Sequence, residues 1–337
     1  MQKDKSIEQG LSCRTIFMEV RYYDLPFGIT TIDTGFVRPG FDASHLIVEN
    51  GQAAFVDVGT SYAVPVLLEV LRRKQIPTEN VQYVIVTHIH LDHAGGAGVL
   101  MKHLPNAKLV AHPRGARHLI SPERLMKGTT AVYGAERTKA LFGDIIPVSR
   151  ERVIEATDEY RLSLSGRELL CPDTPGHARH HVCVVDKRSQ GIFSGDTFGI
   201  SFREFDTENG SVIFPICAPV HFDPEKMHAS IDKLMTYQPK RIYLTHFGCV
   251  TGVPRLADEM HQGIDQFAAL AQSVTAQGDK RRQELTEGME QIFLARIRSH
   301  GCELDQDQIL KLLASDIAMN VRGLEVWIDK SEKREGK

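Results

Sequence analysis

The chain has 337 residues, 42% hydrophobic and 25% charged, the composition of a globular protein long enough for one large domain or for a domain with an appendage. Lys and Arg number 40 against 43 Asp and Glu, and the net charge of -3 gives no global drive toward nucleic acid or an anionic membrane. No apolar run is long enough for a spanning helix, the start MQKDKSIEQG is polar, and Cys13, Cys171, Cys183, Cys217, Cys249 and Cys302 are scattered without a C-x-x-C, so we expect a cytoplasmic protein with reduced thiols.

Residues 1–40 read as short strands and turns. Segments 44–49 and 53–58 flank Asn50-Gly51, the dipeptide of a tight hairpin. Residues 61–74 show helical apolar spacing, with Ser61 as a cap and Pro65 in the first turn. Residues 81–87 (VQYVIVT) are β-branched and nearly all apolar, as a strand buried on both faces requires. A short helix over 96–104 and a strand over 108–111 follow. This alternation of strand and helix predicts a layered α/β fold.

Residues 112–148 are mixed helix and loop. Strands return at 167–172, 181–186 and 191–194, then a helix over 224–237 and a strand over 241–245. Past about residue 254 the texture changes. Segments 257–276, 282–300 and 306–328 all show helical apolar spacing with polar faces, and the charged end, 330–337, is expected to fray. We therefore divide the chain into a catalytic domain, 1–255, and a helical C-terminal region, 256–337, that caps the cleft, forms a dimer face or simply packs.

The chemistry concentrates after the 81–87 strand, where His88, His90, Asp92 and His93 fall within HIHLDH, followed by Gly95 and Gly96. On an extended segment His88 and His90 face one side, while Asp92 and His93 turn toward a second centre. Imidazole and carboxylate donors without a nearby thiolate suit zinc, iron or manganese. The two glycines are expected to let the chain bend sharply. Three further strand ends carry His or Asp beside Gly: Thr174-Pro175-Gly176-His177, Ser194-Gly195-Asp196-Thr197 and Thr245-His246-Phe247-Gly248. Each is weak alone; in this order with the first cluster they are strong.

HIHLDH, TPGH, FSGDT and LTHFG together resemble the metallo-β-lactamase superfamily, in particular its glyoxalase II-like hydrolases, over about residues 27–253. The resemblance implies an αββα sandwich with two divalent ions at its edge, zinc first and iron or manganese as alternatives. It implies that His88, His90 and His177 hold one metal, that Asp92, His93 and His246 hold the other, and that Asp196 bridges them. Asp57 matches a buried brace of the metal-binding loop and His181 a second support. Water activated between two such ions attacks a carbonyl, and Asp92 doubles as ligand and as orienter or proton shuttle for that water.

Thioesters and lactones are the expected small-molecule substrates. A β-lactamase is disfavoured, because the H-x-H-x-D-H set is intact. The glutathione-binding basic residues of glyoxalase II are not recognisable. One rival is a phosphodiesterase or ribonuclease, which needs a basic track; Lys280-Arg281-Arg282 and Arg296 with Arg298 are the candidates, though short charge runs are usually solvated. Another is a persulfide dioxygenase with one iron on two His and one Asp. A third is a non-enzymatic binding module. No nucleic-acid or membrane partner is expected, and a homodimer would form through the C-terminal helices. Phe198, Arg203, Phe214, His221 and Phe247 lie near the motif loops but are read as packing or surface, and Cys171 and Cys249 as small buried hydrophobes.

Overall fold

A computed structural model describes residues 19–217, 219 and 221–335. The polar start, Cys13 and the last two residues of the charged end lie outside them. The first sheet has seven strands, in spatial order β1 (Tyr22–Leu25), β2 (Ile29–Asp33), β3 (Ala43–Glu49), β4 (Gln52–Val56), β5 (Val81–Ile85), β6 (Lys108–Ala111) and β7 (Val153–Glu155). The second has six, in the order β13 (Gly248–Thr251), β12 (Arg241–Leu244), β11 (Gly191–Gly195), β10 (Val184–Asp186), β9 (Arg167–Cys171) and β8 (Tyr160–Leu164).

In the first sheet α1 (Val64–Arg73) makes the parallel crossover from β4 to β5. The next crossover carries α2 (Leu91–Ala94) and α3 (Ala97–His103). The segment left as mixed helix and loop holds α4 (Pro113–Ile120), α5 (Glu123–Tyr133) and α6 (Ala135–Phe142). The crossover from β11 to β12 is α7 (Pro224–Met235), started by Pro224 and by the Asp223 carboxylate, which accepts the Lys226 N–H. The C-terminal helices are α8 (Val253–Ser273), α9 (Gly278–Ser299) and α10 (Gln306–Glu335). No helix among the described residues is long and apolar enough to cross a membrane.

Strand alternation explains the layers. On β4, Ala53 and Phe55 pack toward α1 and α3, while Ala54 and Val56 face the second sheet. On β12, Tyr243 faces the first sheet, while Ile242 and Leu244 pack toward the C-terminal helices. The result is helix, sheet, sheet, helix, the sandwich the motif order implied. The stripe Ile309, Leu313, Ile317, Val321, Leu324 and Ile328 turns α10 into the same apolar layer as β10, β11 and β12. The C-terminal helices therefore share one core with the second sheet.

The Asn50-Gly51 hairpin forms as read, with φ of 47° and 77° at the two turn residues and Glu49 opposite Gln52. Several local expectations need correction. Thr60, not Ser61, caps the entry to α1: its side chain accepts the Tyr62 N–H, while the Ser61 hydroxyl donates to the Phe142 carbonyl. Gly95 and Gly96 have ordinary helical φ values of -61° and -77°, so they are not needed for a bend. They are needed for space, since a Cβ on Gly96 would sit 2.7 Å from the Thr60 carbonyl oxygen. β5 stops at Ile85 because the Thr87 N–H turns to the Asp57 carboxylate. α10 runs to Glu335 instead of fraying from 330, its last turns tied to α9 by Arg281, which pairs with Asp329 and Glu332. The short strands β1, β2, β7, β8 and β13 were not individually expected.

His45 is buried between the sheets. Its Nε2–H donates to the Leu244 carbonyl at 3.0 Å, and its Nδ1 accepts from the Thr31 hydroxyl at 3.2 Å. Both nitrogens are satisfied only in the neutral ring, and burial pushes its pKa from 6.5 down to about 4. A base depressed on folding contributes stability that is complete above pH ~6.5 and is lost as pH falls through the window down to about 4. We expect His45→Gln to flatten the stability profile by about 2 kcal/mol between pH 7 and 5, read from denaturant unfolding at each pH. Equal slopes for both proteins would refute this.

Candidate metal centre

Every motif falls where a strand gives way to a loop at one edge of the sandwich. Asp57 follows β4, His88 and His90 follow β5, and Asp92 and His93 lie in α2. His177 follows β9, Asp196 follows β11 and His246 follows β12. Parallel pairing of β4 with β5 and of β11 with β12 brings these ends side by side.

The side chains converge as two groups. His88, His90, His177 and Asp196 offer ligand atoms within 4.8 Å of one another, and Asp92, His93 and His246 do the same. Asp196 joins the groups, with Oδ2 3.3 Å from His177 Nε2 and Oδ1 3.2 Å from His93 Nε2 and 3.6 Å from His246 Nε2. His88, His93, His177, Asp196 and His246 are buried; His90 and Asp92 are only half-buried, so solvent reaches one member of each group.

The outward nitrogens are fixed by the fold. His246 Nδ1–H donates to the Phe41 carbonyl at 2.9 Å, and His177 Nδ1–H to the Ile216 carbonyl at 3.3 Å. His93 Nδ1–H donates to Asp57 Oδ2 at 2.8 Å. A carbonyl or carboxylate only accepts, so in its neutral form each of these rings presents a bare Nε2 to the centre. His88 bonds Thr87 Oγ1 through Nδ1 and turns Nε2 inward, to 2.8 Å from His90 Nδ1.

Asp57 is fully buried and binds several ligand segments at once. It accepts the Thr87 N–H at 2.8 Å, the Thr87 hydroxyl, the His93 ring at 2.8 Å and the Thr245 hydroxyl at 2.8 Å. Thr87 precedes His88 and Thr245 precedes His246. His181 Nε2 accepts the Asp196 backbone N–H at 3.2 Å, and its Nδ1 meets the hydroxyls of Thr174 and Thr197. Both residues expected as supports stand beside the centre, outside the two converging groups.

Charge within the cluster is unbalanced. Burial, then neighbouring imidazoles, push His88 and His90 well below the usual imidazole value, leaving neutral rings able to ligate. Burial works against ionising Asp196, yet His93, His177 and His246 around it hold its carboxyl well below the usual carboxylate range. Burial likewise opposes a charge on His93, but Asp196, Asp92 and Asp57 raise it well above the ordinary value. His93 Nε2 and Asp196 Oδ1 are buried and face each other at 3.2 Å, yet neither makes a well-directed hydrogen bond. Buried orphan donors and acceptors are rare, and a cation between these carboxylates and bare imidazoles satisfies both. The donor set fits divalent metal.

Other neighbours were not read from the sequence. Asp42 is fully buried with Oδ1 unpartnered, and burial pushes it up to about 7 against the pull of His246 and His93. His180 packs its ring 5.8 Å from His90 and 5.4 Å from His221. It sits in the run HARHH, whose density of histidine was the available signal. Tyr133 of α5 feels the Asp92 charge, and Asp316 of α10 feels His246 and Arg38. Phe198 and Phe214 are core residues, and Phe247 is buried too. Arg203 turns to Ser201, Ser211 and Asp206. Cys171 is buried as expected, whereas Cys249 is only partly so.

A family profile described as the metallo-beta-lactamase superfamily matches residues 37–246. A metallo-beta-lactamase fold-containing protein of Sulfurisphaera tokodaii is 28% identical over 189 residues, 54% of this chain and 65% of that protein. A hydroxyacylglutathione hydrolase of a Polaromonas species is 30% identical over 34% of this chain and 32% of its own length. An acyl-coenzyme A thioesterase of Gallus gallus is 28% identical over 33% of this chain and 40% of its own. The chain thus spans less than two thirds of these curated relatives. Among solved structures, an archaeal metallo-beta-lactamase superfamily protein from Sulfolobus tokodaii has a TM-score of 0.61 at 21% identity, covering 88% of this chain and 98% of that one, a likeness of fold.

Substituting Asn at position 57 turns one acceptor of that carboxylate into a donor facing other donors. We expect Asp57→Asn to weaken metal binding about 10- to 100-fold, measured by competition with a chromophoric chelator. Unchanged affinity would show that the brace is dispensable.

Proposed function

Because the chain belongs to the metallo-beta-lactamase superfamily, we propose that it is a dinuclear metal-dependent hydrolase whose substrate is a thioester or a lactone. The observation that carries this reading is the pair of donor groups joined by Asp196, whose buried Oδ1 faces His93 Nε2 at 3.2 Å without a directed hydrogen bond. His88, His90 and His177 would hold the first ion, Asp92, His93 and His246 the second, and Asp196 both. Zinc is the first choice, with iron or manganese as alternatives. Bound there, two divalent cations supply Lewis acidity that lowers the pKa of water toward neutrality and polarises a carbonyl.

The chain's own residues do the rest. Asp196, held ionised and anchored through its N–H to His181, fixes the separation of the two donor groups. Asp92 is the most exposed carboxylate of the cluster, at 25%, and lies 3.7 Å from His246 Nε2. It can orient an attacking water and receive or return its proton at Oδ2 while the leaving group departs. A carbonyl would approach over His90 and Asp92, the half-buried members of the two groups.

The names of the hydroxyacylglutathione hydrolase and the acyl-coenzyme A thioesterase point toward thioesters and toward the glyoxalase II-like branch. A basic track for a phosphodiester is not supported. Arg281 pairs with Asp329 and Glu332, Arg282 with Glu325, and Arg296 donates to the carbonyls of Ile213 and Glu259. We place the protein in the cytoplasm, acting on a small molecule.

The test is elemental analysis of purified protein together with a panel of thioesters, lactones and bis-p-nitrophenyl phosphate. We expect two metal ions per chain and thioester or lactone turnover. His88→Ala and Asp196→Ala should each reduce metal content and lower turnover by on the order of 10³-fold or more. Full activity in either variant overturns the dinuclear reading, and a single iron per chain favours the persulfide dioxygenase.

A further inference from the structure

The peptide bond between Ile216 and Cys217 is held from both sides. Its carbonyl, on Ile216, accepts the Nδ1–H of His177 at 3.3 Å. Its N–H, on Cys217, donates to the side-chain oxygen Oδ1 of Asn320 at 2.6 Å. Asn320 lies in α10, 1% exposed, more than a hundred residues further along the chain. Gly323, one turn on, lets the helix come this close: a Cβ there would stand 2.2 Å from the Cys217 carbonyl oxygen.

We propose that Asn320 is a positioning residue for the metal centre, acting through the 216–217 peptide on the His177 ring. The proposal rests on the reading of His177 as a metal ligand. The physical argument is one of orientation. A peptide group is planar, so fixing its N–H fixes the direction of its C=O. That carbonyl in turn decides which nitrogen of His177 carries the proton, and so leaves Nε2 bare toward His90 Nδ1, at 3.1 Å, and Asp196 Oδ2, at 3.3 Å. Hydrogen bonds in series through one amide also polarise each other. Asn suits the position because its oxygen is a neutral acceptor, and a carboxylate is not required to satisfy one N–H. The last helix of the chain is thereby joined to the first donor group by two hydrogen bonds and one amide plane.

The test compares Asn320→Leu, which deletes the acceptor at similar volume, with Asn320→Asp, which keeps it, and with Leu313→Ala, which damages the same helix without touching residue 217. Zinc affinity is measured by competition with a chromophoric chelator, and stability by thermal unfolding. We expect Asn320→Leu to bind zinc about 10-fold more weakly in the step that His177→Ala also removes. Asn320→Asp should stay within about 3-fold of wild type, and Leu313→Ala should melt lower with unchanged affinity. Should Asn320→Leu fail to fold, Asn320→Ser, which shortens the reach, must show the same weakening. A wild-type protein and an acceptor-deleted variant that bind zinc equally overturn the proposal alone. A wild-type protein that binds no metal overturns it together with the hydrolase reading.

Discussion

The Asp57 carboxylate is the contact on which the site depends. It lies with no solvent exposure at the end of β4, and its acceptors are filled by Thr87, His93 and Thr245. These residues belong to a loop after β5, a short helix and a loop after β12, on two different sheets. A buried carboxylate is tolerated only when its lone pairs are occupied, so the desolvation that would otherwise be costly becomes a penalty against any arrangement in which the loops separate. The converging side chains are arranged around a carboxylate that stands outside both donor groups.

The same logic is repeated outward. His181 holds Asp196 by its backbone, Phe41 and Ile216 hold rings by their carbonyls, and Asn320 holds the Ile216 peptide. Asn320 alone acts one step further out, through a peptide and not on a ring, and it comes from the last helix of the chain. The sandwich makes this possible because both sheets send strand ends to one edge and the C-terminal helices are packed into the second sheet's outer layer.

The centre was legible in the sequence because its ligands occur in short strings at strand ends, and a tight hairpin was legible in Asn50-Gly51. Asp57 and His181 were recognisable only through the family pattern. What could not be read was whatever depends on two distant segments. Asp42 and Asn320 carry no local signal, since their meaning lies in which backbone or ring stands opposite. Gly96 was read as a hinge because glycine usually signals flexibility, whereas here it makes room for the Thr60 carbonyl. Ser61 was read as a cap by composition, one residue after the true one. Strands of three or four residues, such as β1, β7 and β13, are too short to show periodicity against their loops.

The apolar layer shared by β10, β11, β12 and the last three helices also bears on how such a chain could have been assembled or trimmed. A version ending at β13 would leave Ile192, Ile242 and Leu244 on a broad greasy wall facing water. Such a remnant would stick to itself, so the final quarter of the polypeptide is masonry for the part that carries the candidate site and not luggage carried behind it.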